Sequence, residues 1–211
     1  GNKRIAAIAK GNLGKNYLLL NKLNKAEEYL YNALEDLQAL EENRNIAYIR
    51  ISLGDLALKR ENISQAIHMY RDALALIEKL HIKETLLYCS LAELYLYNND
   101  FTSFKIIYKQ LEEECDREQN PAIYANIKFL KGLFNQKKLN FGEAIGDFNE
   151  ALNIADRIGR EELSAKVLVN LGFTEAFVFI INGNDAKLSS AIEHLEQVLT
   201  FFKENRMIIE Q

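Results

Sequence analysis

The chain contains very little proline: Pro121 is the single one in 211 residues. Because proline is the strongest breaker of helix interiors, its scarcity favours an almost wholly helical chain. Pro121 follows Asn120, a residue suited to cap a helix, so we expect this proline in the first turn of a helix. With 48% of its residues hydrophobic, the chain has enough apolar surface to pack such helices against one another.

Cysteine and histidine are also scarce, and their scarcity argues against several kinds of site. Cys89 and Cys115 are too few and too far apart for a disulfide framework, so we expect two reduced thiols in a cytoplasmic protein. The three histidines stand far apart without a second ligand at metal-binding spacing, and no arrangement for nucleophilic catalysis can be assembled. We therefore expect no metal, no cofactor and no enzymatic activity.

Neither a strong basic excess nor a long uncharged apolar run is present. The formal net charge of −4 disfavours nucleic-acid binding, whose affinity comes from clustered lysine and arginine. The most apolar run, residues 177–181, is far shorter than the roughly 18 uncharged apolar residues that cross a membrane. We expect neither nucleic acid nor a membrane as a partner. Because the sequence starts at Gly1 rather than methionine, we also expect a fragment of a longer chain.

A small residue recurs about every 40 positions and is the strongest signal in the sequence. A fixed period of this size is typical of a solenoid, in which each repeat packs only against its neighbours. The five small residues are Gly14, Gly54, Ala92, Gly132 and Gly172. In the first four repeats a large side chain follows at a fixed distance, namely Leu30, Tyr70, Tyr108 and Phe148.

Turn signals divide each repeat into two helices. Within the repeats they fall at 21–25, 61–64, 98–102, 139–142 and 182–189, and between repeats at 42–45, 81–84, 119–121 and 159–161. Apolar residues recur at helical spacing between these breaks. The sequence predicts ten helices of about 15–20 residues. They form five antiparallel pairs in an all-α solenoid, with repeats at approximately 5–43, 44–82, 83–119, 120–159 and 160–205.

These positions resemble the tetratricopeptide repeat (TPR). The first repeat carries the family pattern as Leu13, Gly14, Tyr17, Ala26, Leu30 and Ala33, and the second as Leu53, Gly54, Ala57, Ala66, Tyr70 and Ala73. A period near 40 instead of about 34 is similar to the long-period members found in kinesin light chains, LGN-like scaffolds and bacterial maltose-activator or peptide-pheromone-receptor regulators. The resemblance implies one right-handed superhelical domain over residues 1–211.

Two repeats depart from the family pattern. The third has Ala92 in place of glycine and bulky Phe104 in place of alanine. In the fifth, the pattern resumes late after Gly172, so we expect an insertion in the turn at 182–185. No polar helix follows the fifth repeat in this sequence, which predicts self-association through its uncapped end.

The resemblance also implies where a partner would bind, since the first helix of each repeat lines a concave groove in this family. Carried over to this sequence, the candidate peptide-binding residues are Asn12, Lys15, Tyr48, Asp55, Tyr97, Phe129, Leu133, Asn170, Phe173 and Phe177. Asn12 and Asn170 would bond a peptide backbone, because an amide offers both a donor and an acceptor. The large apolar groups of repeats 3 to 5 would either anchor a partner or pack between neighbouring helices.

The resulting functional prediction is a non-catalytic protein–protein interaction module that binds a peptide or a helix in the groove. The alternative is a ligand- or peptide-sensing segment of a multidomain bacterial transcription or signalling regulator. Both predict a protein or peptide partner and no cofactor.

Overall fold

The computed structural model describes residues 2–115 and 119–209, and every regular element in these two ranges is an α-helix. The ten helices are α1 (Asn2–Leu19), α2 (Leu23–Ala39), α3 (Asn43–Lys59), α4 (Ile63–Lys79), α5 (Thr85–Tyr97), α6 (Phe101–Glu114), α7 (Pro121–Lys137), α8 (Phe141–Arg157), α9 (Glu161–Asn182) and α10 (Asp185–Ile209). The predicted all-α class is confirmed. Pro121 begins α7, as its place after Asn120 predicted.

Most helices have the predicted length. α1 has 18 residues, and α2, α3, α4, α7 and α8 each have 17. α5 and α6 of the degenerate third repeat are shorter, with 13 and 14 residues. α9 and α10 of the fifth repeat are longer, with 22 and 25 residues.

A residue in the left-handed backbone conformation closes most of the turns. After α1, for example, Asn21 has φ 55° and the Lys22 N–H donates to the Tyr17 carbonyl at 2.8 Å. This bond satisfies a helix-end carbonyl and reverses the chain within three residues, which makes the next helix antiparallel. The same conformation recurs at Glu41, Glu61, His81, Asn99, Leu139, Gly159 and Gly183.

The chain divides into two compact units, with the boundary between Asn99 and Asp100. Unit 1 contains α1 to α5, and its helices pack in chain order, with α1 against α2, α2 against α3, and so on to α5. Its core includes Leu30 and Leu37 of α2 and Leu53 of α3, each at most 2% exposed. Because the boundary falls inside the predicted third repeat, the single domain 1–211 stays a prediction.

Unit 2 contains α6 to α10 and repeats the same order of packing, from α6 on α7 to α9 on α10. Its core joins Phe129 of α7 and Phe148 of α8 to Val167 and Leu171 of α9, none more than 3% exposed. The B helices α2, α4 and α8 each contact both their own A helix and the A helix of the next pair.

The recurring glycines lie where the two helices of a pair touch. A Cβ atom on Gly54 would lie 2.3 Å from Cε1 of Tyr70, and one on Gly132 would lie 2.5 Å from Cδ1 of Phe148. Such distances are far inside van der Waals contact. The fixed sequence spacing between the small residue and the later large residue therefore reflects a direct contact between the two helices of a pair. Gly14 meets Leu30 and Gly172 meets Leu195 in the same way.

The extra residues of the fifth repeat lie in its helices, contrary to the predicted insertion in the turn at 182–185. The turn between α9 and α10 is only Gly183 and Asn184, and Gly183 has φ 64°. α9 extends further beyond its repeat glycine, Gly172, than α7 extends beyond Gly132. The difference is about a turn and a half of helix. The apolar run at 177–181 extends α9 because it contains no helix-breaking residue before Gly183.

α9 also corrects the expectation about apolar length. It is long and apolar enough to cross a membrane by length and composition, with a mean hydropathy of 1.6 over 18 residues. The search for an uncharged run misses it because Lys166 and Glu175 interrupt the sequence. Of that window, 44% is buried inside the fold, and buried core helices pass the same test, so α9 is weak evidence for a membrane.

A pair of glycine substitutions in the fourth repeat tests the helix contact. Gly132→Ala should lower the free energy of unfolding by about 1–2 kcal/mol, because overpacking against the buried Phe148 ring outweighs the gain in helix propensity. Gly146→Ala is the matched control: a Cβ there has nothing within 4 Å. It should raise the free energy of unfolding by about 0.5–1 kcal/mol. Urea denaturation measures both, and effects of the same sign would contradict the contact.

Candidate binding cleft

Unit 1 contains a cleft between α1 and α3 with a volume of about 280 Å³. Four of the ten predicted peptide-binding residues line it: Asn12 and Lys15 from α1, and Tyr48 and Asp55 from α3. The other lining residues are Ile8, Gly11, Leu37, Asn45, Ile49, Ile51 and Ser52. Residues that are far apart in the sequence thus meet in one concave surface.

Helical spacing and one close helix contact create this surface. Tyr48, Ser52 and Asp55 follow at i, i+4 and i+7, which places them on one face of α3. On α1, Gly11 lets α3 approach, since a Cβ atom there would lie 2.4 Å from Cδ1 of Ile49. This contact sets the floor of the cleft, and Asn12 beside it is exposed.

Asp55 is the electrostatic centre of the cleft. Burial raises the pKa of its carboxyl above the ordinary value of 3.8, while a hydrogen bond from the Tyr70 hydroxyl and the charges of Lys15 and Lys59 oppose that rise. The pKa of Tyr70 is raised as well, first by burial and then by the negative charge of Asp55. Groups with perturbed pKa values in a cleft are candidates for a functional site.

The remaining polar groups of the cleft differ in how they are used. The Tyr48 hydroxyl donates to Glu84 at 2.9 Å, and the Ser52 hydroxyl donates to the Tyr48 carbonyl at 3.2 Å. Within residues 2–115 and 119–209, by contrast, the Asn12 amide has no hydrogen bond and the Lys15 ammonium has no ion pair. These two side chains are therefore available to a ligand.

The other predicted residue of unit 1, Tyr97, does not line the cleft. It lies at the end of α5 and is 69% exposed.

Two predicted groove residues of unit 2 lie in the core or against it. Phe129 is 3% exposed, and its ring lies 5.9 Å from that of Phe148. Leu133 is partly buried against the same cluster. Of the two alternatives that the sequence left open, this burial favours packing at both positions, because the cluster joins α7 to α8 and α9.

The three predicted residues on α9 have mixed environments. Phe173 and Phe177, one turn apart, are 52% and 50% exposed, and the Phe177 ring stacks on Phe141 with centroids 6.1 Å apart. The Asn170 amide donates to the Lys166 carbonyl at 2.9 Å, which commits one of its donors to its own helix.

Sequence reasoning missed two polar features. Tyr70 was interpreted as a packing residue, although its hydroxyl, absent from the equivalent Leu30 and Phe148, reaches Asp55. The second is Glu175, which is 3% exposed and lies within 3.0 Å of Lys187, Ser190 and His194 of α10. This cluster joins α9 to α10. No group of side chains in the described ranges is arranged to hold a metal ion.

The raised pKa of Asp55 predicts a specific pH dependence. The folded state holds the Asp55 proton more tightly than the unfolded state, so this group favours folding below about pH 3.8 and loses that contribution as pH rises through the folded-state pKa. Asp55→Asn should therefore become more stable relative to the native chain as pH rises from about 3.5 to about 7. Thermal melts across this range measure the difference.

Tyr70→Phe is the matched second variant for this measurement. It removes a hydrogen bond that lowers the Asp55 pKa, so the pH-dependent loss of stability should extend to higher pH than in the native chain. A stability difference between Asp55→Asn and the native chain that stays constant with pH would contradict the assignment.

Comparison with known proteins supports the resemblance over the first part of the chain. The tetratricopeptide repeat family model matches residues 5–79, which include both helices that form the cleft. No curated protein sequence is significantly similar to the chain.

Solved structures share the fold over nearly the whole chain. BtubC (BKLC) from P. vanneervenii is 16% identical with a TM-score of 0.66, covering 94% of this chain and 83% of that one. MamA 41-end from Desulfovibrio magneticus RS-1 is 17% identical with a TM-score of 0.58 and 97% coverage of both chains. A putative kinesin light chain with nearly identical TPR-like repeats, from Podosopora anserina, is 15% identical with a TM-score of 0.60, covering 94% of this chain and 95% of that one. Residues 5–79 thus match the tetratricopeptide repeat family, and the chain as a whole has a helical-repeat fold similar to these solved structures.

Proposed function

We propose that the chain is a non-catalytic interaction module that binds an extended peptide in the cleft between α1 and α3. TPR domains generally mediate protein–protein interaction, and the family model covers this part of the chain. The observation that carries the proposal is the convergence of Asn12, Lys15, Tyr48 and Asp55, from two repeats, on one cleft. The reduced thiols expected from the sequence support a cytoplasmic location as part of this proposal.

The chemistry of the cleft defines the peptide. The Asn12 amide can both donate to and accept from a peptide unit. Lys15 is exposed and suits an acidic side chain. Asp55, partly desolvated, suits an amide or hydroxyl donor, and Ile8 and Ile51 add apolar surface at the wall. The proposed ligand is a mixed-polarity peptide with an acidic side chain opposite Lys15.

A phage-displayed library of random linear peptides tests this proposal with the chain as the bait. Enriched peptides should contain an acidic residue, and Lys15→Glu should weaken their binding at least about tenfold, since a lost charge-assisted hydrogen bond costs about 1.5–3 kcal/mol. Asn12→Ala should weaken the same peptides. Isothermal titration calorimetry with the synthesised peptides gives the dissociation constants.

Lys79→Glu is the matched control, because Lys79 is an exposed lysine at the end of α4 and does not line the cleft. It changes the net charge by the same amount and should leave binding unchanged. If Phe177→Asp removes peptide binding while Lys15→Glu does not, the exposed apolar residues of α9 are the site and the cleft proposal is wrong. A library that yields no enriched peptide contradicts it as well.

A further inference from the structure

Unit 2 contains another concave site, a pocket of about 310 Å³ beside the first turns of α9. Its apolar lining consists of Ala165 and Leu168 of α9 and Phe201 of α10. Ala165 is 5% exposed, and Leu168 and Phe201 are partly buried. Small-molecule sites start at about this volume and are lined mainly by apolar side chains. We call this site the α9 pocket.

One change in the repeat pattern accounts for the apolar lining. Counted from the repeat glycine, the position of Leu168 is a cation in the first, second and fourth repeats, namely Lys10, Arg50 and Lys128. Each of these cations pairs with an acid of its own B helix, at 2.7 Å from Asp36, 3.0 Å from Asp72 and 2.8 Å from Glu150. Leu168 cannot form such a pair, so the space that a long cationic side chain takes up in the other repeats is left to a ligand.

This side of an A helix stays accessible when another pair follows. Lys10 precedes the pair α3–α4 and its side chain is 43% exposed, and Lys128 precedes the pair α9–α10 and its side chain is 19% exposed. The accessibility of the α9 pocket therefore does not depend on α10 being uncovered.

Three charged side chains line the same pocket: Asp156 at the end of α8, Arg160 in the turn, and Glu161 at the start of α9. The Ser164 hydroxyl donates to Oδ1 of Asp156 at 2.6 Å, which orients this carboxylate. Within residues 2–115 and 119–209, the side chains of Arg160 and Glu161 have no hydrogen bond or ion pair, and Oδ2 of Asp156 has none either.

These charges favour a ligand that carries both signs. A guanidinium group binds a carboxylate through two parallel hydrogen bonds. The carboxylates of Asp156 and Glu161 suit an ammonium group, which has three donors and no acceptor. A ligand with a single charge would leave the opposite group of the pocket partly desolvated and unpaired, which is costly.

We propose that the α9 pocket binds a free α-amino acid with a large apolar side chain. The ligand carboxylate pairs with Arg160, and its ammonium group pairs with Asp156 and Glu161. Its side chain lies against Leu168 and Phe201. The pocket has the volume of about ten water molecules in the liquid, which suits a ligand of the size of leucine or phenylalanine.

This inference does not depend on the peptide cleft, because the α9 pocket lies in unit 2 and the cleft lies in unit 1. An α-amino acid and a peptide could therefore bind to the same chain at two different places.

Isothermal titration calorimetry with L-phenylalanine and two blocked forms tests the ligand class. N-acetyl-L-phenylalanine lacks the ammonium group, and L-phenylalaninamide lacks the carboxylate. Each blocked form should bind at least about tenfold more weakly than L-phenylalanine, because it loses a charge-assisted hydrogen bond. Free glycine, which has no apolar side chain, should give no measurable binding.

Arg160→Gln tests the role of the guanidinium group. It should weaken L-phenylalanine at least about tenfold and leave the affinity for L-phenylalaninamide unchanged, since that ligand has no carboxylate to pair. Phe201→Ala should weaken both ligands, because it removes apolar lining. The matched control is Arg157→Gln: Arg157 is exposed at the end of α8, does not line the pocket, and should be replaceable without effect. Circular dichroism checks that each variant keeps its helicity.

Several results would overturn the inference. Absence of binding by L-phenylalanine up to about 10 mM rules out the site. N-acetyl-L-phenylalanine binding as tightly as L-phenylalanine would show that the pocket takes an apolar anion instead. An equal loss of both ligands in Arg160→Gln would contradict the carboxylate contact. Amide signals that shift at Asn12 and Lys15, and not at Ser164 and Leu168, would place the ligand in the cleft.

Discussion

The contact between a glycine of each A helix and a large side chain of its B helix is the constraint on which the repeats depend. At Gly14, Gly54, Gly132 and Gly172 the helices approach so closely that a single added carbon would overlap the partner side chain. The close approach fixes the rotation of one helix against the other. It also leaves the remaining faces of both helices free to contact the next pair or to line a surface.

The candidate cleft follows from two such contacts. Gly54 admits the Tyr70 ring, and the hydroxyl of that ring then reaches Asp55 one position along α3. Gly11 admits Ile49, so that α1 and α3 lie close enough for Asn12 and Lys15 to share a cleft with Asp55. Packing contacts therefore determine the geometry of the cleft, and the burial that they impose on Asp55 raises the pKa of its carboxyl group.

The sequence predicted the helices and their pairing because both follow from periodicity. The residues that line the cleft, such as Tyr48 and Asp55, were predicted from the resemblance to the tetratricopeptide repeat, and their helical spacing is consistent with one face of α3. The burial of Phe129 could not be predicted in the same way, since it depends on how far α9 covers α7. The predicted turns at 159–161 and 182–189 bound α9 almost as observed, whereas the start of α10 was missed because residues 185–189 were assigned to the turn and continue the helix instead.

Nuclear magnetic resonance of the isotope-labelled chain with a peptide selected by binding to it tests the central claim most directly, because it reports the bound surface residue by residue. The account predicts that the backbone amide signals of Asn12, Lys15, Ser52 and Asp55 shift on addition of the peptide, while those of Phe173 and Phe177 do not. Shifts confined to α9, or spread over the chain without a maximum at α1 and α3, would contradict a peptide site in this cleft.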